Sequence, residues 1–396
     1  MRELNGGVVT DKAYIGRRKA VPVLHVQGSH YEIGYDAGRY FASPIKNFIA
    51  TYKNLRDFER EYKTEAGRAV YDKTLANMKK KFPYYVKEIQ GTADGAGVPF
   101  QQLFLLQLDD LIGNVNDNHV PRNDTGGCTS IGVMNSEYSI LGHTEDAFSE
   151  TLNHFYILSA HVIPTPEDRQ LGATEERFSS LCYAGHMPGY TMQHNENGLV
   201  YSINTLSPYN LKFGNTPRTF ITRKLLSARN FVDAERILSD DGLGTGNGFS
   251  VNMVWSDAWG GRQMYNIEVA PDHKTDRSQL NIHKYDKEVL VHCNLYQRIK
   301  IKEVVGPLVD SSVVRLGTIK AHAVPQNRQE VKDLLSDTSA DVFQVFQEKK
   351  DAVINTIAAG IFDLNKRSWS IYINKPNASE PVAVLPIRFT ELENEV

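Results

Sequence analysis

The chain has 396 residues, of which 23% are charged and 41% hydrophobic, the balance of a globular protein rather than a disordered or fibrous one. Its net charge of −3 leaves no basic footprint for nucleic acid or an anionic membrane surface. No run of about 18 apolar residues is present to span a bilayer. The three cysteines, Cys128, Cys182 and Cys293, cannot all pair, and Met1–Gly7 lacks the apolar core of a signal peptide, so the expected location is cytoplasmic.

Up to Cys128 the patterns are mostly helical. After one short strand, Val21 to Val26, the run Ser29-His30-Tyr31-Glu32 reads as a capping box. Ile33, Ala37, Phe41, Ile45 and Phe48 then recur at helical spacing through one long amphipathic stretch. Gly34 and Gly38 fall one turn apart and leave a groove where another backbone can approach. A second helix is predicted from Glu65 to Lys81, broken near Pro83. A third begins at Pro99 and carries Leu103, Leu106, Leu108, Leu111 and Ile112.

From Cys128 onward strands and hairpins dominate. Cys128 to Val133, a turn at Asn135-Ser136-Glu137, and Tyr138 to His143 form the first hairpin. Others span Tyr190 to Asn204, around Asn195-Glu196-Asn197-Gly198, and Phe249 to Val269, around Trp259-Gly260-Gly261. Val289 to Cys293 and Ser368 to Ile373 are further strands. Helices are predicted at Pro217–Ala228, Phe231–Leu238, Ser311–His322 and Arg328–Leu335. The alternation has no ~30-residue βαβ rhythm and no repeat, which points to an α+β protein with helices on both faces of mainly antiparallel sheets.

Several chemistries lack their signatures. There is no CxxC pair, HExxH or EF-hand loop, so a dedicated metal site has no support. Gly242 to Gly248 is glycine-rich but lacks the P-loop Lys and leads into a strand. Asp109-Asp110 reads as the solvated face of an amphipathic helix, and His292-Cys293 as ordinary strand residues.

The segment Thr125-Gly126-Gly127-Cys128-Thr129 carries more. A cut before Cys128 would place a free α-amine, titrating near ~8, beside a thiol of pKa about 8.5. The residue then holds a nucleophile and its base together. Gly127, without a Cβ, can hold the backbone geometry of a scissile peptide. Asp146 returns toward Cys128 along the antiparallel hairpin and can stabilise the α-ammonium. Asn252, a polar amide inside an apolar strand, is a candidate oxyanion donor. Asp310-Ser311 reads as a helix start, with Arg315 in its second turn.

Together these residues resemble the self-processing N-terminal-nucleophile hydrolases of the penicillin acyltransferase type. The resemblance rests on Gly28 to Gly34 with Gly38-Arg39, on Gly127-Cys128-Thr129, and on the gap from Cys128 to Asp146 (146 − 128 = 18). It continues through Gly185-His186-Met187-Pro188-Gly189, Asn195 to Leu199, Asn252 with Glu268, and Asp310-Ser311 with Arg315. Where members often carry Thr-Asn-His, this chain reads His292-Cys293-Asn294-Leu295, and that block is assigned no role.

The resemblance implies a four-layer αββα fold, with antiparallel sheets sandwiched between helical layers. It implies autocleavage between Gly127 and Cys128, giving a helix-rich α fragment, 1–127, and a β fragment, 128–396, that carries the nucleophile. The fragments together form one domain, an αβ heterodimer open to higher (αβ)n assembly. Cys128 is the nucleophile, Asp146 orients its amine, Asn252 holds the oxyanion and Arg315 supports the site electrostatically. No metal or organic cofactor is implied. The wording of Glu175 to His186 and Thr216 to Phe220 is similar to members that hydrolyse β-alanyl amides of biogenic amines. The implied reactions take N-β-alanyldopamine to dopamine and carcinine to histamine, each releasing β-alanine. The alternative is an acyl-coenzyme A-dependent N-acyltransferase.

Overall fold

The computed structural model describes residues 18–115, 127–256, 261–349 and 353–389; Gly126 and the turn residues Trp259 and Gly260 lie outside them. The first strand, β1 (Val23–Gly28), leads directly into α1 (His30–Tyr40). Ser29 caps that helix: its Oγ accepts from the Glu32 N–H at 3.3 Å, and the Glu32 carboxylate accepts from the Ser29 N–H at 2.8 Å. The apolar stripe does not form one long helix. Non-helical backbone at Phe41 (φ −105°, ψ 24°) separates α1 from α2 (Ala42–Thr51).

Two helices escape the periodicity: α3 (Lys53–Tyr62), which buries only Leu55 and Phe58, and α5 (Pro83–Ala96). Between them α4 (Glu65–Lys81) runs where expected. Pro83 ends α4 and opens α5, because the first helical position needs no N–H partner. Gly34 and Gly38 pack α1 directly on α5: an added Cβ would lie 2.0 Å from Glu88 O and 2.3 Å from Thr92 O. Gly91 and Gly95 return the contact against Tyr31 O and Tyr35 O. The helical segment closes with α6 (Phe100–Leu106) and α7 (Asp109–Ile112).

Beyond it come β2 (Cys128–Met134), β3 (Ser139–Phe148), β4 (Phe155–Val162), α8 (Pro166–Gln170), β5 (Glu176–Tyr183), β6 (Met192–Asn195) and β7 (Leu199–Leu206). Then follow α9 (Arg218–Leu225), α10 (Phe231–Ser239), β8 (Gly248–Ser256), β9 (Arg262–Pro271), β10 (Ser278–Tyr285) and β11 (Leu290–His292). The last are α11 (Pro307–Ala321), α12 (Arg328–Leu335), β12 (Ile354–Asp363), β13 (Ser368–Tyr372) and β14 (Ala383–Pro386). Eight strands form one sheet in the order β1-β4-β5-β6-β7-β8-β9-β10, and six form a second in the order β11-β2-β3-β12-β13-β14. Among the described residues, every pairing between these strands is antiparallel except β1 with β4.

Three apolar clusters separate four layers. Met192, Val200 and Met264 of the first sheet meet Leu141, Phe362 and Trp369 of the second. Ile33, Phe48, Ile89 and Phe220 of the helices cover the outer face of the first sheet through Tyr156, Leu158 and Tyr201. Ile319, Val331 and Leu335 of α11 and α12 cover the second through Ile131, Val133 and Ile361. The architecture is therefore α+β in the order αββα.

A buried ionic knot ties the α5 layer to the later chain. Arg223 bonds Glu88 at 2.8 Å and Glu176 at 2.6 Å, and His30 Nδ1 lies 2.9 Å from Glu88. Burial pushes the Glu88 carboxyl up, but Arg223 and His30 outweigh it and hold the group at about 2. Among the described residues, no helix is long and apolar enough to cross a membrane.

Candidate active site

The register of the first hairpin sets the site. Cys128 stands directly opposite Glu145, with Ser130 opposite His143. Side chains of a strand alternate between faces, so these four point the same way. Ser130 Oγ, within 3.0 Å of Ser202 Oγ and Asn204 Oδ1, shows that they face the other sheet. Thr129 and Asp146 belong to the opposite face, where Arg315 of α11 reaches Thr129 Oγ1 at 2.8 Å.

The Cys128 Sγ lies 3.5 Å from Glu145 Oε2. That carboxylate accepts from the Tyr183 hydroxyl through its other oxygen, and His143 Nε2 lies 3.0 Å from Oε2. Burial pushes the thiol well above its ordinary range, and the Glu145 and Asp146 carboxylates add to the rise. The Asp146 backbone N–H and the Arg315 guanidinium oppose it.

The peptide on either side of Cys128 is clamped. Its N–H donates to Asn294 Oδ1 at 2.7 Å, and its carbonyl accepts from Arg315 Nη1 at 2.7 Å and Asn204 Nδ2 at 2.9 Å. The Gly127 carbonyl accepts from the Asp146 N–H at 2.8 Å. A Cβ on Gly127 would lie 2.5 Å from Arg315 Nη2 and 3.0 Å from Asn294 Oδ1. A side chain at this position would have to displace one of them. Arg315 is fully buried, and Nη2 also donates to Asn294 Oδ1 at 3.0 Å. It lies deeper in its helix than expected, because α11 starts at Pro307 rather than beside Asp310.

The fold thus gathers Gly127, Cys128, Asp146 and Arg315, and leaves Asn252 aside. Asn252 is buried in β8, where Nδ2 donates to Ser130 Oγ at 2.9 Å and Asn204 Oδ1 at 2.5 Å, and Oδ1 accepts from Asn266 at 2.7 Å. Its amide bridges the two sheets through Ser130, and it is not among the residues that line the cavity at Cys128. Asn252 stands opposite Asn266 in the first sheet and reaches the second at Ser130, two residues from Cys128. Asp146 Oδ1 accepts from Thr356 Oγ1 at 2.5 Å, and Glu145 Oε2 is the carboxylate oxygen 3.5 Å from the thiol.

Asn294 and Glu145 were not singled out in the sequence. Asn294 falls in the block whose wording departs from Thr-Asn-His, which hid it. Glu145 sits beside Asp146, and only the hairpin register separates their faces. Asp109 is a further correction. It accepts from the Tyr190 hydroxyl at 2.5 Å with Arg218 Nη2 at 3.8 Å, and it lines the cavity instead of a solvated face. His292 and Cys293 are buried; His292 lies 3.2 Å from Glu268, whose carboxylate accepts from the Gln297, Arg298 and Ile299 N–H groups.

The cavity measures about 190 Å³, and Cys128, Glu145 and Asp146 are among the residues that line it. Phe48, Tyr52, Phe58, Phe148, Tyr183 and Tyr190 supply an aromatic surround. Among the described residues, Cys128, His143 and Glu145 are the group whose potential metal-ligand atoms all lie within 4.8 Å of one another. No spacing motif announces that donor set.

The chain belongs to the acyl-coenzyme A:6-aminopenicillanic acid acyl-transferase family, whose model matches residues 133–378. A Drosophila melanogaster protein named beta-alanyl-dopamine/carcinine hydrolase is 44% identical over 386 residues, 94% of this chain and 98% of that protein. Two variants of a conjugated bile acid hydrolase from Clostridium perfringens cover 67% of this chain at 10% and 9% identity, with TM-scores of 0.36 and 0.37. The match covers 97% and 98% of those two chains.

Proposed function

We propose that the chain is a self-processing cysteine amidohydrolase that cuts itself between Gly127 and Cys128 and then hydrolyses β-alanyl amides of biogenic amines. The observation that carries this reading is the Cys128 thiol at the wall of an aromatic cavity, in a chain 44% identical to a hydrolase named for such substrates. In the processed enzyme the thiol gives its proton to the α-amine and attacks the amide carbonyl. The amine returns the proton to the leaving catecholamine or histamine, and water opens the β-alanyl thioester.

Asn294 Oδ1 holds the α-amine, in the position where it now accepts from the Cys128 N–H. Arg315 fixes the Cys128 carbonyl, and the Asp146 N–H, which now donates to Gly127 O, serves as an oxyanion donor. Rings such as Tyr52 and Phe148 suit a catechol or imidazole, and the acidic wall suits a β-alanyl ammonium. Fragments 1–127 and 128–396 stay together as an αβ pair, since helices of the first cover a sheet of the second and β1 pairs with β4.

Intact mass of the denatured protein, wild type beside Cys128→Ala, tests the first step. The 44.6 kDa chain divides by length into pieces of about 14 and 30 kDa, which wild type should show and the variant should not. The cut enzyme should release β-alanine from N-β-alanyldopamine and carcinine. An uncut, inactive wild type overturns the reading; amide product from an acyl-coenzyme A donor in place of hydrolysis would favour the transferase suggested by the family's name.

A further inference from the structure

Self-cleavage poses a chemical problem that the processed enzyme does not. In the intact chain the nitrogen of Cys128 is an amide, donating its hydrogen to Asn294 Oδ1, so it has no lone pair with which to take the thiol proton. The thiol is buried and stays protonated, so a neighbouring group must remove its proton before it can attack.

We propose that Glu145 is the general base of self-cleavage, an assignment that rests on the proposed cut at Gly127-Cys128. Its Oε2 lies 3.5 Å from Cys128 Sγ. Its placement is over-determined. The Tyr183 hydroxyl holds Oε1, His143 Nε2 lies 3.0 Å from Oε2, and His143 Nδ1 is braced by Ser130 Oγ at 2.8 Å. The cross-strand register puts this carboxylate, and not Asp146, on the face of the thiol. The Asp146 carboxylate is engaged by Thr356 on the opposite face. His143 is a positioning residue: it touches the carboxylate rather than the reacting atoms.

The step balances without a further reagent. The Sγ–H proton passes to Glu145 Oε2, and the sulfur forms a bond to the Gly127 carbonyl carbon. The resulting oxyanion accepts from the Asp146 N–H, which already donates to that oxygen at 2.8 Å. The carbon–nitrogen bond to Cys128 breaks as Glu145 returns the proton to the departing nitrogen. A thioester and a free α-amine remain, and Glu145 is again ionised. Water then adds to the thioester carbonyl and the carbon–sulfur bond breaks; of the water's two protons one returns to the sulfur and one goes to the amine, and Gly127 leaves as a carboxylate. Glu145 thus serves a single turnover, after which the amine it has liberated takes over as base.

Pulse-labelled full-length chain from cell-free translation tests this, with the appearance of the two fragments followed over time. Hydroxylamine in a parallel sample traps the thioester as a hydroxamate at Gly127. Glu145→Gln should cleave at least about 100-fold more slowly than wild type, the scale of a lost general base. Hydroxylamine should not restore its cleavage, because no thioester forms. Cleavage of Glu145→Gln within a few-fold of wild type, or its ready trapping by hydroxylamine, overturns the assignment. If Glu145→Gln fails to melt cooperatively, Glu145→Asp decides. Its shorter carboxylate withdraws from the sulfur and should slow cleavage about 10-fold or more; a wild-type rate overturns the assignment. A wild-type chain that never cleaves overturns the self-processing reading itself and this inference with it, whereas cleavage by both chains overturns this inference alone.

Discussion

Asn294 Oδ1 lies 2.7 Å from the Cys128 nitrogen and 3.0 Å from Arg315 Nη2, so one carbonyl oxygen accepts from both. The group that would orient the liberated amine is itself oriented by a buried guanidinium. Replacing Asn294 with Ala removes that acceptor while leaving the thiol and its carboxylate neighbour in place. The variant should lose about 10–100-fold in kcat per processed chain, with KM changed much less, since the loss falls on proton transfer rather than on substrate contacts. Steady-state hydrolysis of carcinine, normalised to the fraction cut, measures it.

Gly127→Ala should process slowly even though alanine differs from glycine by one methyl group. The Cβ would sit 2.5 Å from Arg315 Nη2, so either the guanidinium or the scissile carbonyl must shift. A displacement of that kind costs about 10–100-fold in a reaction that depends on alignment. Intact mass against time after synthesis gives the rate.

Asn252→Ala separates the sequence expectation from the observed geometry. A direct oxyanion donor would cost about 10²–10³ in kcat. Asn252 instead bonds Ser130, Asn204 and Asn266 inside the fold, so its loss leaves buried polar groups unpaired. The expected result is a stability loss of about 1–3 kcal/mol with kcat within about 10-fold of wild type. Denaturant melts and turnover of the same preparation check both.

Gly34→Ala tests the contact between α1 and α5. The new Cβ would meet Glu88 O at 2.0 Å, and that atom is backbone, which cannot swing away as a flexible side chain can. Destabilisation should reach the upper end of overpacking, about 3 kcal/mol. Urea unfolding gives the number, and an unchanged midpoint would show that the helices do not touch.

Glu303 bears on pH. Burial raises its carboxyl to about 7, opposed by the Tyr296 N–H and helped by the Glu268 carboxylate. Unfolded, it would titrate near ~4.3. Between those values the folded chain holds a proton that the unfolded chain has lost, so this group's contribution falls as pH rises from about 4.5 to 7. Glu303→Gln cannot ionise, so its melting temperature should exceed that of wild type by more at pH 8 than at pH 4.5. Thermal melts at the two pH values decide it.

Much of the fold was legible because its signals are local. The Ser29–Glu32 box, the helix Glu65–Lys81 and the helix Arg328–Leu335 each declare themselves within a few turns of chain. The strand Ile354–Asp363 was not read: it is buried on both faces, so no alternation marks it. The helix Pro83–Ala96 was hidden by Gly91 and Gly95, which weaken helical propensity and are needed only because α1 lies against them.

The sequence by itself singled out Cys128 as the candidate nucleophile, because Gly127-Cys128 is a chemical statement made by adjacent residues. It also determined the α+β class, since helical and strand periodicities follow from each element's own buried face. The contacts of Cys128 came from elsewhere. Asn294 arrives from 166 residues away and Arg315 from 187, through the packing of layers that no local pattern encodes. Glu145 rather than Asp146 meets the thiol because the hairpin pairs Met134 with Ser139, and hence Cys128 with Glu145. A turn longer or shorter by one residue would reverse that choice, because strand side chains alternate with a period of two.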